Sequence, residues 1–311
     1  LIETMLVTNF SAIPDVKDLR DQGNFNSQNV LTVDSNPKLT KSPKGELIVY
    51  TAGHHFTPVM YGACASASKE CAQCCLHTSG NPAAMPAKEI RRRIRSESFF
   101  KSSRSYMRLL VIEICRFIYK KSNKGIYNHL ERFSIRLNAT SDYYFERVPV
   151  DIDSVLCEFI KGKFGFTLKP SKYSNIMEVF KASPLKILSD NVVFYDYTKH
   201  NNRLLDVCNG VNYDITVSYG SKHENIIDYA IENTLNVAAP VDVKKGQPLP
   251  KYIKIKGYDQ VFPVIDGDLH DARWMDLKDQ VYFVLLRYKN AENDTPEMKA
   301  KFCLSYEAVE V

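Results

Sequence analysis

The chain has 311 residues, of which 44% are hydrophobic and 25% charged, and a formal net charge of +5. That balance fits a folded globular chain of one large domain or two ordinary ones and excludes a low-complexity or disordered protein. So mild a positive charge permits a nucleic-acid or phosphorylated partner without requiring one. The longest apolar run, Leu109 to Ile118, is interrupted by Glu113 and Arg116, so no membrane partner is expected.

Residues 1–45 are rich in Asn, Asp, Ser and Pro and read as an irregular lead-in with a short helix near Asp15 to Asp21. Residues 46–311 read as a single α/β domain. It opens with the β run Glu46 to Thr51, which ends at Gly53 and is followed by His54 and His55. Next comes the most unusual stretch. Cys64, Cys71, Cys74 and Cys75 fall within twelve residues, while the other four of the eight cysteines are scattered singly. Small polar residues separate the four, so the stretch is no core strand. Adjacent Cys74 and Cys75 make a poor disulfide pair. With no secretion signal at the start of the sequence, a reducing, cytoplasmic setting is expected. Thiolates with His54, His55 and His77 nearby in sequence are candidate ligands for a metal or cluster.

Pro82 and Pro86 precede a helix entered near Ala87 that carries Arg91, Arg92, Arg93 and Arg95, then Phe99 and Phe100. The arginines read as a solvated face or a phosphate contact. Ser105 reads as the cap of a second helix to Lys121, with Leu110, Ile114, Phe117 and Ile118 on one face. Further β runs follow at Phe133 to Leu137, Val192 to Tyr197, Tyr213 to Val217, Leu235 to Val241, Val261 to Ile265 and Val281 to Leu286. Helices are expected at Ile152 to Phe159, Ile176 to Ala182 and His223 to Thr234. The alternation predicts a parallel α/β sheet or a partial TIM-like (β/α) barrel, with the cysteine-rich loop after an early strand.

Polar residues cluster where these runs end. Asn138, Ser141 and Asp142 follow the second run; Thr198 and Lys199 follow the third; Ser218 follows the fourth; Asp266 and Asp268 follow the sixth. In parallel α/β folds, ligands bind at these strand ends. Asp266, Asp268, His270 and Asp271 also read as oxygen and nitrogen donors for a divalent cation, or as a tight turn in which Asp271 pairs with Arg273.

Several segments in order resemble the phage gene product 88-like family. They are residues 62–80, the arginine-rich helix with Phe99 and Phe100, Arg136 to Asp142, Phe194 to Lys199, Thr216 to Ser218, Asn236 to Pro240, and Val264 to Asp268 with Asp271 to Trp274. The family spacing C-x6-C-x3-C falls on Cys64, Cys71 and Cys75, with Cys74 as an extra thiol and the alternative third ligand to Cys75. The resemblance implies a phage protein working in the cytoplasm of an infected bacterium. The layout is also similar to that of radical S-adenosylmethionine enzymes, although the CxxxCxxC spacing is absent. That similarity implies a [4Fe–4S] cluster held by Cys64, Cys71 and Cys75, with S-adenosylmethionine near Asn138, Ser141 and Thr198. Asp142, Lys199, Ser218, Asp266 and Asp268 would face a small-molecule or nucleotide substrate, and a deoxyadenosyl radical would abstract hydrogen. The alternative is a zinc-stapled nucleic-acid-binding or processing protein, with zinc on the same cysteines and His77 or His54.

Overall fold

The structure is a computed structural model and describes residues 9–23, 25, 30–33, 45–58, 60–75, 86–203, 212–289 and 295–310. In chain order its strands are β1 (Leu31–Val33), β2 (Ile48–His54), β3 (Glu131–Arg136), β4 (Val150–Ile152), β5 (Ser171–Tyr173), β6 (Val192–Thr198), β7 (Tyr213–Ser218), β8 (Val237–Val241), β9 (Tyr252–Ile255), β10 (Val261–Asp266), β11 (Phe283–Arg287) and β12 (Tyr306–Val309). The helices are α1 (Pro14–Gln22), α2 (Lys69–Gln73), α3 (Pro86–Lys101), α4 (Ser103–Lys121), α5 (Ser154–Phe164), α6 (Ile176–Lys181), α7 (Lys186–Ser189), α8 (Ile226–Glu232) and α9 (Pro296–Phe302).

Ten strands form one sheet in the order β1-β2-β3-β6-β7-β8-β11-β10-β9-β12. Every neighbouring pair from β2 through to β10 is parallel; β1, β9 and β12 pair antiparallel. The parallel strands are apolar on both faces, as Val192, Val193, Phe194 and Tyr195 in β6 illustrate, because helices and loops cover both sides. β2, β3, β6, β7 and β8 lie side by side in chain order. All the parallel strands therefore end at one edge of the sheet, and the polar residues that follow them gather there.

The parallel sheet expected from the sequence forms; among the described residues it does not close into a barrel. The chain-order winding stops where β11 inserts between β8 and β10, and antiparallel β1, β9 and β12 finish the two margins. The expected lead-in contributes to the same core: β1 pairs with β2, and Val16 and Leu19 of α1 are buried where α1 packs on α4. α4 is the central helix, packed against α1, α3, α5, β1 and β4. Its cap position is Ser102, and Ser105 lies buried within the first turn. The arginine-rich α3 also departs from a solvated face. Arg91 and Arg93 are exposed, but Arg92 and Arg95 are buried.

Candidate functional site

The cysteine loop leaves β2 and is pinned across the edge where the parallel strands end. Tyr61 and Gly62 both take positive φ, turning the chain back after β2. The Asp142 N–H donates to the Ala63 carbonyl at 2.7 Å, tying the loop to the exit of β3. Ala67 bridges Ser221, the Ser68 N–H donates to the Gly220 carbonyl at 3.2 Å, and the Lys222 N–H donates to the Ser66 carbonyl at 3.0 Å. These bonds fix the loop to the exit of β7. The Ser68 hydroxyl then accepts from the Cys71 N–H at 3.1 Å and caps α2. Gly220 has φ 81°, a conformation that favours glycine, and it lies in contact range of Phe302 of α9 and Cys71.

Burial separates the four clustered thiols. Cys74, at the C-cap of α2, is 2% exposed, while Cys64, Cys71 and Cys75 are partly exposed and unbridged. Three thiols on one loop suit an iron–sulfur cluster or zinc in their donor chemistry. Among the described residues, no three His, Cys, Asp or Glu side chains are gathered as a metal site. His77 and the rest of residues 76–85 lie outside the described residues, as does Cys208.

Behind the loop, the ends of β3, β6 and β7 share one hydrogen-bonded network. Asn138 is 1% exposed and its amide is engaged inside the protein. Its Nδ2 donates to the Tyr143 carbonyl and to Asp196, and its Oδ1 accepts from Ser141 and from the Tyr143 N–H. Asp142 accepts from the Lys199 N–H at 2.7 Å and from Arg203 at 2.7 Å. Lys199 reaches across to β7, donating to the Ser218 hydroxyl at 2.6 Å and the Tyr219 carbonyl at 2.7 Å. Thr198 is buried and its hydroxyl accepts from the His200 N–H. Asn138, Ser141, Asp142, Thr198, Lys199 and Ser218 are thus one cluster, contiguous with the cysteine loop.

Asp266 and Asp268 belong elsewhere on the edge. Arg287 of β11 grips both, at 2.9 and 3.2 Å, and the Asp268 N–H closes the turn on Asp266. The sequence-level pairing of Asp271 with Arg273 is replaced by two other pairs. Buried Asp271 accepts from Arg136 and Tyr195, and Arg273 pairs with Asp276 at 3.1 Å. Asp266 and Asp268 thus share Arg287 while Asp271 serves Arg136, which divides the divalent-cation site considered for them. An open depression beside Asp228 and Tyr258 lies at α8 and the β9–β10 turn, the margin where strands begin.

The network also holds residues that the sequence reading passed over. Arg203 is fully buried and binds Asp142, both oxygens of Glu146, and Tyr213; Tyr213 in turn donates to Asp196 at 2.7 Å. Burial raises the Asp196 carboxyl to about 6, against the opposing pull of Arg203. Ser66, in the cysteine loop, lies 2.6 Å from His200 Nδ1 and 3.1 Å from His223 Nε2. His200 Nε2 faces the Asp142 carbonyl at 3.3 Å, which only accepts, so that nitrogen carries the proton and Nδ1 accepts from Ser66 or Tyr144. His200 follows Thr198 and Lys199 in sequence, so the strand-end rule that marked those two residues extends to it.

At the margin nearest β2, His54 is fully buried. Its Nδ1 donates to the Leu137 carbonyl at 2.9 Å and its Nε2 accepts from the Tyr106 hydroxyl at 2.8 Å. Burial holds its pKa down at about 3, against an ordinary 6.5. The folded state thus refuses a proton that the unfolded chain accepts below the ordinary value. The resulting stability is complete above pH 6.5 and is lost as pH falls toward 3. His54→Gln removes that linkage. The stability gap between wild type and variant is expected to shrink by about 1.4 kcal/mol per pH unit below roughly pH 6. Urea titrations at a series of pH values measure it, and a gap independent of pH would contradict a neutral buried His54.

Ser96 of α3 joins the exit of β2 to the helix: its hydroxyl accepts from the Thr57 N–H at 2.9 Å and donates to the Arg92 carbonyl at 3.1 Å. Ser96→Ala orphans a buried N–H and is expected to cost about 1–3 kcal/mol. A lower urea midpoint at unchanged slope would register the loss.

A family model described as gene product 88 matches residues 28–305. No curated protein and no solved structure matches the chain.

Proposed function

The chain belongs to the gene product 88 family, and we propose that it is a phage iron–sulfur enzyme of radical S-adenosylmethionine character, working in the cytoplasm of the infected host. The observation that carries the proposal is the loop itself. Three partly exposed cysteines belong to a segment that follows the first parallel strand and whose backbone at Ala63 and Ser66 to Ser68 is bonded to the exits of β3 and β7. The chain-order run of β2, β3, β6, β7 and β8 supports a partial-barrel kinship, since a barrel is wound in the same way.

Cys64, Cys71 and Cys75 are the ligands in this reading. A bound [4Fe–4S] cluster with one iron free of cysteine would supply the electron for cleaving S-adenosylmethionine. The protein's own part is to orient and to exclude water. Asn138, Ser141 and Thr198 shape the cofactor's floor through their internal bonds. Asp142 orients Lys199 through its backbone N–H, and Lys199 with Ser218 presents a cation and a hydroxyl to a small-molecule or nucleotide substrate. Asp266 and Asp268, held by Arg287, are assigned to the far side of that substrate.

Anaerobic purification with iron, sulfide and zinc analysis tests the assignment. Iron and sulfide near four per chain are expected; stoichiometric zinc without iron would overturn it. Zinc is also the signature of the alternative reading, a stapled nucleic-acid-binding protein. The geometry lends that reading less. Arg92, Arg95 and Arg108 are buried, with Arg108 paired to Asp15 and Asp153, and of the exposed Arg91, Arg93 and Arg104 two are already paired, Arg93 to Glu97 and Arg104 to Asp151.

A further inference from the structure

Four segments that leave the sheet at its C-terminal edge converge on one hydroxyl. Ser66 stands in the loop after β2, Asp142 and Tyr144 in the segment after β3, His200 just after β6 and His223 after β7. The Ser66 Oγ lies 2.6 Å from His200 Nδ1 and 3.1 Å from His223 Nε2. A serine hydroxyl is a poor nucleophile until a base at hydrogen-bond distance takes its proton, and that base must be oriented by a third group. His200 meets both conditions. Its Nε2–H donates to the Asp142 carbonyl at 3.3 Å, so the Nδ1 lone pair is the one aimed at Ser66. Burial holds its pKa below the ordinary value, which keeps the ring neutral and able to accept.

The ring is fixed as well as aligned. Tyr144 packs on it with centroids 4.3 Å apart and brings its hydroxyl to the same Nδ1 at 2.5 Å. That lone pair takes one hydroxyl at a time. When it holds Tyr144, the Ser66 proton still has an acceptor in His223 Nε2, in the tautomer protonated at Nδ1. The Ser221 hydroxyl accepts from the His223 N–H at 3.0 Å and donates to the Lys199 carbonyl at 2.6 Å, which ties the two histidine-bearing segments together. Ser66 itself is 2% exposed, but Ala65 beside it is exposed, and Ala67, Tyr144 and His223 are partly exposed. The hydroxyl therefore sits one layer beneath the surface rather than in the core.

We propose that Ser66 and His200 form a catalytic site of their own, a nucleophile and its general base, that transfers the acyl group of a carboxylic ester to water. The Ser66 oxygen attacks the carbonyl carbon while its proton passes to His200 Nδ1. The bond to the alcohol then breaks, and the same proton goes to the alcohol oxygen. Water, deprotonated by that nitrogen, attacks the acyl-serine, releases the carboxylic acid and leaves Ser66 protonated again. The donors beside Ser66, the Tyr144 hydroxyl and the His223 N–H of the other tautomer, are neutral. They suit the single negative charge of an acyl intermediate better than a multiply charged phosphoryl group. The site uses no metal, so it stands or falls apart from the cluster assignment.

Labelling of the full chain with a fluorophosphonate tests the proposal. Attack on phosphorus expels fluoride and leaves the phosphonyl group on the serine oxygen. An adduct mapped to Ser66 by peptide mass spectrometry, and absent when the chain is unfolded in urea, is expected. His200→Gln should slow labelling about a hundredfold or more, the usual contribution of a general base. p-Nitrophenyl acetate should acetylate the same residue and be turned over, and Ser66→Ala should abolish both. No adduct on Ser66 of the folded wild-type chain, or an adduct on other residues alone, overturns the proposal whether or not the variants fold. Labelling of folded His200→Gln at the wild-type rate overturns it too. Iron content, measured on the same protein, reads the cluster assignment independently.

Discussion

Replacing Cys64, Cys71 or Cys75 with Ala is expected to lower bound iron by about tenfold or more in anaerobically prepared protein, while Cys74→Ala leaves it near the wild-type level. Losing a supporting residue around a metal ligand commonly costs about ten- to a hundredfold in affinity, and losing the ligand itself costs no less. The contrast rests on exposure. Cys74 is buried at the end of α2, where its N–H donates to the Glu70 carbonyl at 2.8 Å, whereas the other three thiols are partly open to solvent. Because those three are not core residues, their truncation should change thermal stability little. A melt run beside the iron assay therefore separates lost ligation from unfolding. Equal iron in all four variants would remove the loop from metal binding. A selective loss in Cys74→Ala would exchange the roles of Cys74 and Cys75.

How the site came to be partly visible in the sequence follows from the range of each interaction. β6 is legible because Val192, Val193, Phe194 and Tyr195 are β-branched or aromatic and form one unbroken run. β9 (YIKI) and β12 (YEAV) were passed over because each is four residues long and carries charge, as margin strands do. The cysteine loop announces itself by composition, and its place over the sheet follows from the parallel rule. The partners of the buried charges obey no such local rule. Arg203 meets Asp142, Glu146 and Asp196 across 61, 57 and 7 residues of sequence, and Arg136 meets Asp271 across 135. Nearer candidates, such as Arg273 for Asp271, look equally good on paper. The burial of Arg92 and Arg95 is hidden for the same reason: α3 carries arginine around more than half of its circumference, and its packing on α4 and against the exit of β2 decides which of them turn inward.

Arg203→Met is expected to destabilise the fold by about 3–5 kcal/mol, the usual cost of stranding buried charge by removing its partner. Arg203 is fully buried, and its guanidinium is shared by Asp142 at 2.7 Å, Glu146 at 2.8 Å and Asp196 at 3.8 Å. Met fills much of the volume, so the loss reads charge more than cavity. Its consequences run directly into the site. Asp142 positions the Lys199 backbone, and Asp196 receives both the backbone and side-chain N–H groups of Asn138. The deficit should also depend on pH with a definite sign. Asp196 already stands raised to about 6. Without the arginine that pulls it down, the Asp196 carboxyl moves higher still, so the folded variant binds a proton that the unfolded chain does not. Its stability therefore recovers as pH falls through the raised value and is poorest at about pH 8. Arg287→Met is the matched control. Its carboxylates, Asp266 and Asp268, are partly exposed, and solvent takes over much of their charge, so a cost of about 1 kcal/mol or less is expected. Urea denaturation of the two variants at about pH 8 and pH 5 measures both effects. If Arg203→Met costs no more than Arg287→Met, or if its deficit deepens as pH falls, then Arg203 is not the charge that holds the ends of β3, β6 and β7 together beneath the cysteine loop.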